Sequence, residues 1–360
     1  MLPRVLLVAP KFRFLGGQAV VADSMLRAMV ADGICVGLLA VDPVLPRGLR
    51  FTLTVRYLRT LVTLVFYVAS LMREVRKYDV IHVFSASYWS FLVSPTPALL
   101  IGRAFKKAVI LNYHSGEAED HLMRWSRIVS PILRIPDRIV VPSRYLVNVF
   151  ERFGFSAKAI PNVVDEDTIQ YKERHGVQPR ILVARTLEPE YNIRCTLLAF
   201  EIIKKHCPLA EMTILGDGSQ RRSLEELTRS LRLDAVTFAG YVKRDRIAWF
   251  FNNHDVFLNA SSIDNMPISI LEAFAAGTPV VTTNAGGIPD MVTHDVNGLL
   301  AEIDDHRTLA RHVLELVRDP DRVLRLSRAG FEELHKYRWE TVGKEWYNVY
   351  RDIVGSPAPD

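Results

Sequence analysis

The chain has 360 residues, of which 49% are hydrophobic and 24% are charged, and its formal net charge is +5. This length exceeds what one hydrophobic core usually supports, so the composition, which is ordinary for a folded soluble protein, indicates two domains. The three cysteines Cys35, Cys195 and Cys207 are scattered without CxxC spacing, which argues against a disulfide framework and a zinc site and fits a reducing cytoplasm.

The chain begins with a short apolar run, Val5 to Ala9, which predicts a buried strand. The brevity of this run and the lack of a convincing cleavage site argue against a signal peptide. The longest apolar run, Thr60 to Met72, is well short of the roughly 20 residues that a membrane-spanning helix needs. We therefore predict no spanning segment.

Positive charge is concentrated in the first part of the chain, where residues 1–160 hold 21 Lys and Arg against 10 Asp and Glu. Around the apolar stretch Phe51 to Met72 this pattern suits a helix lying on anionic lipid headgroups, and it equally suits a core helix with solvated ends. Nucleic-acid binding is not predicted, because no binding motif accompanies the charge. The flanking basic residues are Arg47, Arg50, Arg56, Arg59, Arg73, Arg76 and Lys77.

Short runs rich in Val and Ile alternate with longer helical patterns, which predicts parallel strands buried on both faces. The first series comprises Val5 to Ala9, Val36 to Val41, Val80 to Phe84, Val109 to Asn112 and Arg138 to Pro142. The second comprises Ile181 to Ala184, Met212 to Gly216, Val236 to Ala239, Val256 to Asn259 and Pro279 to Thr283. We predict two doubly wound α/β domains, residues 1–162 and 163–336, and an aromatic helix in residues 337–355 that packs back on the first.

The stretch from Ser261 to Val281 carries the strongest indication of a binding site. Pro267 is expected at the first position of a helix that Gly277 ends, so the amides of Ile268 and Ser269 have no partner within the helix. These amides and the positive end of the helix dipole favour an anion such as a diphosphate.

Two acidic residues accompany this helix start. Glu272 lies one turn into the helix, and because helical side chains lean toward the N-terminus, its carboxylate can reach the same ligand. Asp264 lies in the preceding loop. From these residues alone an alternative stays open, in which Glu272 is a partner of the helix dipole and Asp264 is a cap.

The spacing of Asp264, seven residues and Glu272 before a Gly-x-Pro-Val-Val strand resembles glycosyltransferase family 4, whose members usually have glutamate at both acidic positions. Further matching features follow in order over nearly the whole chain: Gly16-Gly17, Pro161-Asn162-Val-Val-Asp165, Leu215-Gly-Asp-Gly218, Gly240-Tyr-Val242 and Gly286-Gly-Ile-Pro289. The resemblance implies a GT-B fold, with two Rossmann-like domains facing across a cleft. It also implies that the first domain binds the acceptor and the second binds the nucleotide-sugar donor.

The resemblance implies roles for individual residues. Gly16 and Gly17 would let the backbone approach the donor phosphates, Glu272 would bind the ribose, and Asp264 and His114 would lie at the transferred sugar. The base would lie beside Gly240-Tyr241. The implied donor-binding set is Gly16, Gly17, Gly216, Gly240, Tyr241, Ile268, Ser269 and Glu272, and the implied catalytic set is His114, Arg185 and Asp264.

Arg185 follows the first strand of the second domain, where a guanidinium can hold a diphosphate and oppose charge on the leaving group. The family usually pairs this arginine with a lysine about five residues on, but Tyr191 and Asn192 occupy that place. Three explanations stay open: Arg185 and the helix amides suffice, Arg194 substitutes, or transfer is weak.

We therefore expect a retaining glycosyltransferase that moves a hexose-type sugar from a UDP- or GDP-linked donor to a glycan or lipid-linked acceptor, with no metal or other cofactor and no nucleic acid. The strings Asp165 to Asp167 and Asp319 to Asp321 are interpreted as solvated acids. The expected location is cytoplasmic, including the inner face of an anionic membrane. Two alternatives are a nucleotide-sugar-binding relative that has lost transfer and a sugar-nucleotide epimerase.

Overall fold

The structure, a computed structural model, describes residues 2–10, 17–46, 51, 55–164 and 169–355. The chain divides into two compact units: unit 1 comprises Met1–Val163 and Trp339–Asp360, and unit 2 comprises Val164–Arg338. In the described residues each unit is built on a six-stranded parallel sheet flanked by helices. The predicted α/β class with two doubly wound sheets is confirmed.

Unit 1 has the strand order β2-β1-β3-β4-β5-β6. Its strands are β1 (Val5–Ala9), β2 (Val36–Ala40), β3 (Val80–Ser85), β4 (Ala108–Tyr113), β5 (Arg138–Val141) and β6 (Lys158–Ala159). Its helices include α1 (Gly17–Ala31), α2 (Arg56–Glu74), α3 (Tyr88–Val93), α4 (Pro95–Ala104), α5 (Ala118–Arg124), α6 (Ser126–Leu133) and α7 (Arg144–Arg152). Because β1 lies between β2 and β3, the order of strands reverses beside β1, and ligands of such sheets bind at that reversal.

Unit 2 has the strand order β12-β11-β10-β7-β8-β9. Its strands are β7 (Arg180–Ala184), β8 (Glu211–Leu215), β9 (Val236–Gly240), β10 (Val256–Leu258), β11 (Val280–Thr283) and β12 (Leu299–Ala301). Its helices are α8 (Ile193–His206), α9 (Arg221–Ser230), α10 (Arg244–Asn253), α11 (Ile268–Ala275), α12 (His306–Arg318) and α13 (Pro320–Glu333). The order reverses between β7 and β10, so the loops that follow these two strands meet at the place where a ligand is expected.

Every strand predicted from an apolar run is present, with boundaries shifted by at most one residue. The strands β6 and β12 were not predicted. They contain two and three residues and lie at sheet edges, where a strand needs no long apolar run.

The last helix, α14 (Trp339–Gly355), packs on the sheet of unit 1. The side chains of Trp346 and Tyr350 are buried, and the ring centroid of Trp346 lies 4.5 Å from that of His82 on β3. The Tyr350 hydroxyl lies 2.8 Å from His82 Nδ1, within hydrogen-bond distance. Residues from the far end of the chain therefore complete the core around β3.

The helix α2 is buried on one side and exposed on the other. Tyr67 and Leu71 are buried, and the Tyr67 hydroxyl donates to the carbonyl of Ser94 (2.9 Å). Leu61 and Val65 lie on the exposed side. Across the described ranges of the chain, no helix combines the length and the apolar character that spanning a membrane requires.

Candidate active site

The carboxyl ends of β7, β8 and β9 lie side by side in unit 2. The amide of Arg185 donates to the carbonyl of Leu215 (3.1 Å), and the amide of Gly216 donates to the carbonyl of Gly240 (2.8 Å). Gly216 has a φ of +120°, and a Cβ at this position would lie 2.1 Å from the carbonyl oxygen of Arg185. Because only glycine permits this approach, the backbone brings three of the predicted positions together.

Arg185 is the centre of a cluster of predicted site residues. Its guanidinium forms an ion pair with Asp264, and its Nη1 donates to the hydroxyl oxygen of Ser269 (3.4 Å). The side chains of Arg185 and Asp264 are only 11% and 10% exposed. A charge this deeply buried must be paired, so each residue provides the neutralising partner of the other.

Asp264 is held by further hydrogen bonds from the loop around it. Its Oδ2 accepts from the Ser261 hydroxyl (3.0 Å), its Oδ1 accepts from the Asn265 amide (2.9 Å), and its carbonyl accepts from the Gly287 amide (3.1 Å). The alternative interpretation of Asp264 as a helix cap is wrong, because Pro267 occupies the N-cap position and no side chain caps that end. Asp264 instead fixes the loop between β10 and α11.

The helix α11 begins one residue later than the sequence indicates. Pro267 has an extended backbone (φ −67°, ψ 118°), which makes Ile268 the first helical residue. The first hydrogen bond of this turn joins the Ile270 amide to the Pro267 carbonyl (3.1 Å), and the amides of Ile268 and Ser269 precede it. All residues of α11 are buried. The positive end of its dipole therefore lies in a poorly solvated place, where its attraction for an anion is strong.

Glu272 forms an ion pair with Arg244, a residue that the sequence reasoning missed. The Glu272 side chain is 7% exposed, and that of Arg244, the first residue of α10, is 23% exposed. Glu272 thus has a guanidinium partner besides the dipole of its own helix. These residues lie 28 positions apart, beyond the reach of a local motif. The signal that could have pointed to Arg244 is the group of basic residues Lys243, Arg244 and Arg246, which begins three positions after the end of β9.

Tyr191 occupies the place where the family usually has a lysine. The Arg185 guanidinium lies over its ring, 4.1 Å from the centroid, in a cation–π contact. Burial raises the pKa of the Tyr191 phenol, so the ring supports Arg185 without adding charge. Arg194 is exposed on the first turn of α8, and among the described residues no hydrogen bond or ion pair joins it to Arg185 or Asp264. Arg244, through its ion pair with Glu272, places a further cation beside α11.

Gly240 and Tyr241 follow this group of strand ends. Gly240 has a φ of +68°, and a Cβ there would lie 3.1 Å from Nη1 of Arg221. The adjacent Tyr241 side chain is 53% exposed. An exposed aromatic ring at the carboxyl end of a strand can stack on a planar base.

In unit 1, two predicted positions meet at the end of β3. Gly17 begins α1, and the next side chain, Gln18, donates from Nε2 to the carbonyl of Ser85 (3.1 Å). The amide of His114 donates to the same carbonyl (3.0 Å). The start of α1 and the loop after β4 therefore lie together at the carboxyl edge of the sheet. The predicted Gly16 lies outside the described residues.

The imidazole of His114 lies in an apolar environment. Its ring stacks on Phe84 with a centroid separation of 5.2 Å. Burial lowers the pKa of His114 to about 3, so the ring is neutral at neutral pH. Its Nε2 is buried and has no hydrogen-bond partner among the described residues. This nitrogen can exchange a hydrogen bond with a ligand hydroxyl without bringing a charge.

In the part of the chain that the structure describes, no three His, Cys, Asp or Glu side chains are grouped as a metal site would require. The string Asp165 to Asp167 lies outside that part. In the second string, Asp319 accepts a hydrogen bond from the Arg322 amide (2.9 Å) as the N-cap of α13. Asp319 is exposed, as expected of a solvated acid, and its carboxylate also satisfies a helix terminus.

Two family models match the chain in succession. The model of Glycosyltransferase Family 4 matches residues 15–168, and the model of Glycosyl transferases group 1 matches residues 165–333. The chain belongs to glycosyltransferase family 4. The resemblance stated from the sequence is thereby confirmed over nearly the whole of this family 4 chain.

Curated relatives align with part of the family 4 chain. An uncharacterized glycosyltransferase of Methanocaldococcus jannaschii is 31% identical over 196 residues, which cover 53% of this chain and 50% of that protein. A GDP-mannose-dependent alpha-(1-6)-phosphatidylinositol monomannoside mannosyltransferase of Mycobacterium tuberculosis is 28% identical over 200 residues, which cover 53% of this chain and 52% of that protein. The chain thus spans about half the length of these curated relatives.

A solved structure shares the fold over almost the whole family 4 chain. The Anabaena protein HepE, solved in complex with UDP-glucose, covers 97% of this chain and 100% of its own, with a TM-score of 0.72 and 15% identity. At this identity the similarity establishes the fold alone. The GT-B fold class is confirmed.

Proposed function

We propose that this family 4 chain is a retaining glycosyltransferase that moves a hexose-type sugar from a UDP- or GDP-linked donor to a glycan or lipid-linked acceptor. The observation that carries this proposal is the meeting of Arg185, Asp264 and Ser269 at the N-terminal end of α11. A guanidinium beside a buried helix terminus is suited to a diphosphate. Unit 2 is accordingly the proposed donor-binding domain, and unit 1 is the proposed acceptor-binding domain.

The ion pairs around α11 indicate what donor binding must change. We assign the diphosphate to Arg185 and the first amides of α11, the ribose to Glu272 and the base to the exposed ring of Tyr241. Asp264 now neutralises Arg185, and Arg244 now neutralises Glu272. The donor therefore exchanges existing partners for its own phosphates and hydroxyls, so that donor binding replaces the Arg185–Asp264 and Arg244–Glu272 ion pairs by contacts to the donor.

In unit 1 we assign to His114 a contact with the transferred sugar. We assign to Gly16 and Gly17 a close approach of the backbone to the phosphates of the donor. These positions follow the strands β1 and β4. A neutral imidazole suits hydroxyl groups, which accept and donate hydrogen bonds without net charge.

In the proposed reaction the acceptor oxygen bonds to the anomeric carbon on the face from which the diphosphate leaves. The bond from that carbon to the β-phosphate oxygen breaks, and the hydroxyl proton passes to the departing phosphate. No protein nucleophile is required, in contrast to retaining glycoside hydrolases. The chain contributes positioning, and Arg185 stabilises the charge that develops on the leaving group.

Ligand-dependent stabilisation tests the donor site first. UDP and GDP are titrated separately while the unfolding temperature is followed, because a ligand that binds the native state raises it. Purified protein is then incubated with UDP-glucose, UDP-N-acetylglucosamine and GDP-mannose, and the anomeric products are identified by NMR. Transfer or hydrolysis with retention supports the proposal. If neither nucleotide stabilises the protein, the proposal is refuted.

The same experiment separates the two alternatives. Nucleotide binding without turnover favours a binding relative that has lost transfer. Interconversion of donor sugars without an acceptor favours an epimerase. The Arg185–Tyr191 contact favours neither, because the ring supports the cation but does not replace the missing lysine.

The exposed side of α2 supports a further part of the proposal, association with an anionic membrane at its cytoplasmic face. Leu61, Val65 and Met72 are 60%, 58% and 47% exposed at spacings that lie along one side of the helix. Arg76 and Lys77 follow the helix directly. An exposed apolar side with basic residues at its end suits the surface of an anionic bilayer and a lipid-linked acceptor. The three cysteines are free, as in a reducing compartment.

Co-sedimentation tests this association. Vesicles of phosphatidylcholine alone are compared with vesicles that also contain phosphatidylserine, using the wild type and the Leu61→Ser, Val65→Ser double variant. We expect binding to the anionic vesicles that salt weakens and the double variant loses. Equal binding of both proteins, or no binding at low salt, would refute the association.

A further inference from the structure

Unit 1 presents a pair of tryptophans near the strand ends that carry His114. Trp89 follows β3 by four residues, and its side chain is 72% exposed. Trp125, at the junction of α5 and α6, lies edge-on to it with ring centroids 5.2 Å apart. We call Trp89 and Trp125 the tryptophan pair. A large aromatic ring that stays in water while a second ring supports it is available to a ligand.

The backbone before the tryptophan pair has an unusual conformation. Tyr88 has a φ of +55°, which a bulky residue rarely adopts. Such strain persists where the surroundings hold it, and it is concentrated at ligand sites. Here the Ser87 hydroxyl lies 2.7 Å from the Tyr113 hydroxyl in a buried contact, and the Tyr88 hydroxyl donates to the carboxylate of Asp120. The turn is therefore held on both sides, with Trp89 next to it in solvent.

Polar groups adjoin these rings. The Tyr88 ring lies 5.9 Å from that of Trp125. Asp120, which accepts from Tyr88, has a side chain that is 37% exposed and pairs with Arg124 at 2.7 Å. Burial raises the pKa of Tyr88, and the nearby carboxylates of Glu117 and Asp120 raise it further, so its hydroxyl stays protonated and can donate.

The layer beneath these groups is uncharged. His121 is fully buried, and its Nδ1 lies 2.8 Å from the Tyr113 hydroxyl. Burial lowers the pKa of His121 to about 4, so it brings no positive charge at neutral pH. Above it Asp120 pairs with Arg124, so this surface offers no excess of positive charge to a phosphate or an anionic lipid. An indole surface beside a carboxylate instead matches a neutral sugar ring, whose C–H face is apolar and whose hydroxyls need polar partners.

We propose that Trp89, together with Tyr88 and Asp120, forms a subsite for a neutral sugar ring of the acceptor. The inference rests on the proposed function, because it narrows the acceptor to one that carries carbohydrate near the atom receiving the sugar. The sugar face lies on the indole of Trp89, and its hydroxyls bond to the carboxylate of Asp120 and the hydroxyl of Tyr88.

Saturation-transfer NMR tests this subsite with four probes: methyl α-glucoside, methyl β-glucoside, methyl α-mannoside and methyl β-galactoside. The proteins are the wild type, Trp89→Ala, Trp89→Tyr, Asp120→Asn and Trp249→Ala. Trp249 is a matched control, because it is 52% exposed on α10 of unit 2 and also contacts a ring, that of Phe250, edge-on. We expect ring-proton signals from at least one probe with the wild type and the control, at least about fivefold weaker binding by Trp89→Ala, and partial recovery in Trp89→Tyr.

Thermal shifts with UDP and GDP are recorded for the same proteins, so that failure of the donor site is seen separately. Sugar binding lost in Trp89→Ala while a nucleotide still stabilises that variant supports the subsite. Equal signals from Trp89→Ala and the wild type overturn it, as does the lack of any signal with the wild type. Anionic vesicle binding that Trp89→Ala loses, with sugar binding unchanged, also overturns it in favour of a membrane contact. If Trp89→Ala unfolds, Asp120→Asn decides by the same criteria.

Discussion

The two units hold buried ionisable side chains in opposite charge states. In unit 2 the buried charges of Arg185 and Asp264 are kept and paired with each other. In unit 1, burial lowers the pKa values of His82 and His114 to about 3, so these side chains are neutral. The difference follows from the residue types, because a guanidinium cannot release its proton in a protein and an imidazole can. One α/β architecture thus holds a buried charged pair in unit 2 and buried neutral imidazoles in unit 1.

Removing Arg185 of unit 2 should have the largest effect. With Arg185→Ala we expect transfer to fall by about 10²–10³-fold because charge on the leaving group is no longer stabilised. The free energy of unfolding should also fall by about 3–5 kcal/mol, since Asp264 is left buried without its partner. The rate of transfer from the nucleotide sugar that the wild type uses measures the first effect, and urea unfolding measures the second. The surface variant Arg311→Ala, whose side chain is 64% exposed, is the control and should change neither.

The double variant Arg185→Ala, Asp264→Asn distinguishes pairing from catalysis. Neutralising both residues should recover part of the lost stability and none of the lost activity. A double variant no more stable than Arg185→Ala would contradict the view that unit 2 keeps these charges by pairing them.

The close approach of strands in unit 2 provides the next test. In Gly216→Ala the new Cβ would meet the carbonyl of Arg185, so we expect a loss of about 3 kcal/mol in the free energy of unfolding. Gly33→Ala is the matched control, because Gly33 has a φ of +73° and no atom lies within 4 Å of the added Cβ. The control should cost about 1 kcal/mol. Urea unfolding measures both variants. Equal losses of unfolding free energy in Gly216→Ala and Gly33→Ala would show that the approach of the strand ends is not tight.

The neutral histidines of unit 1 predict sensitivity to acid. The pKa of His82 is lowered from 6.5 to about 3, so the unfolded chain binds more protons than the folded chain between these values. The stability that each such histidine contributes is complete above pH 6.5 and is lost as the pH falls, by about 1.4 kcal/mol per pH unit. Urea unfolding at pH 7, 6 and 5 gives the free energy of unfolding as a function of pH. In His82→Gln the slope of this dependence should be smaller than in the wild type by the equivalent of about one proton. An unchanged slope would mean that His82 does not titrate on unfolding.

The smallest effect is expected at Arg194. Because this side chain is exposed on α8 and Arg244 already lies beside α11, Arg194→Ala should change the donor KM by less than about twofold and stability by less than about 0.5 kcal/mol. Arg244→Ala, measured in parallel, should raise the donor KM by about tenfold. A tenfold effect of Arg194→Ala would identify Arg194 as the missing second cation.

Sequence reasoning succeeded where a feature is local. Buried parallel strands appear as continuous apolar runs, which is why β7 and β10 could be predicted nearly to the residue. The start of α11 was missed by one residue because a proline fits both the N-cap and the first helical position. The Glu272–Arg244 pair and the stacking of Arg185 on Tyr191 depend on side-chain positions across separate elements, which no spacing encodes.

The place of α14 has a consequence for how the protein is made. Trp346 and Tyr350 complete the core around His82, yet they leave the ribosome after all of Val164–Arg338. Synthesis therefore supplies the whole of unit 2 before the last part of unit 1, although unit 1 begins first. We expect unit 2 to complete its fold as soon as it has left the ribosome, while the sheet of unit 1 stays without the helix that completes its core until α14 has been made.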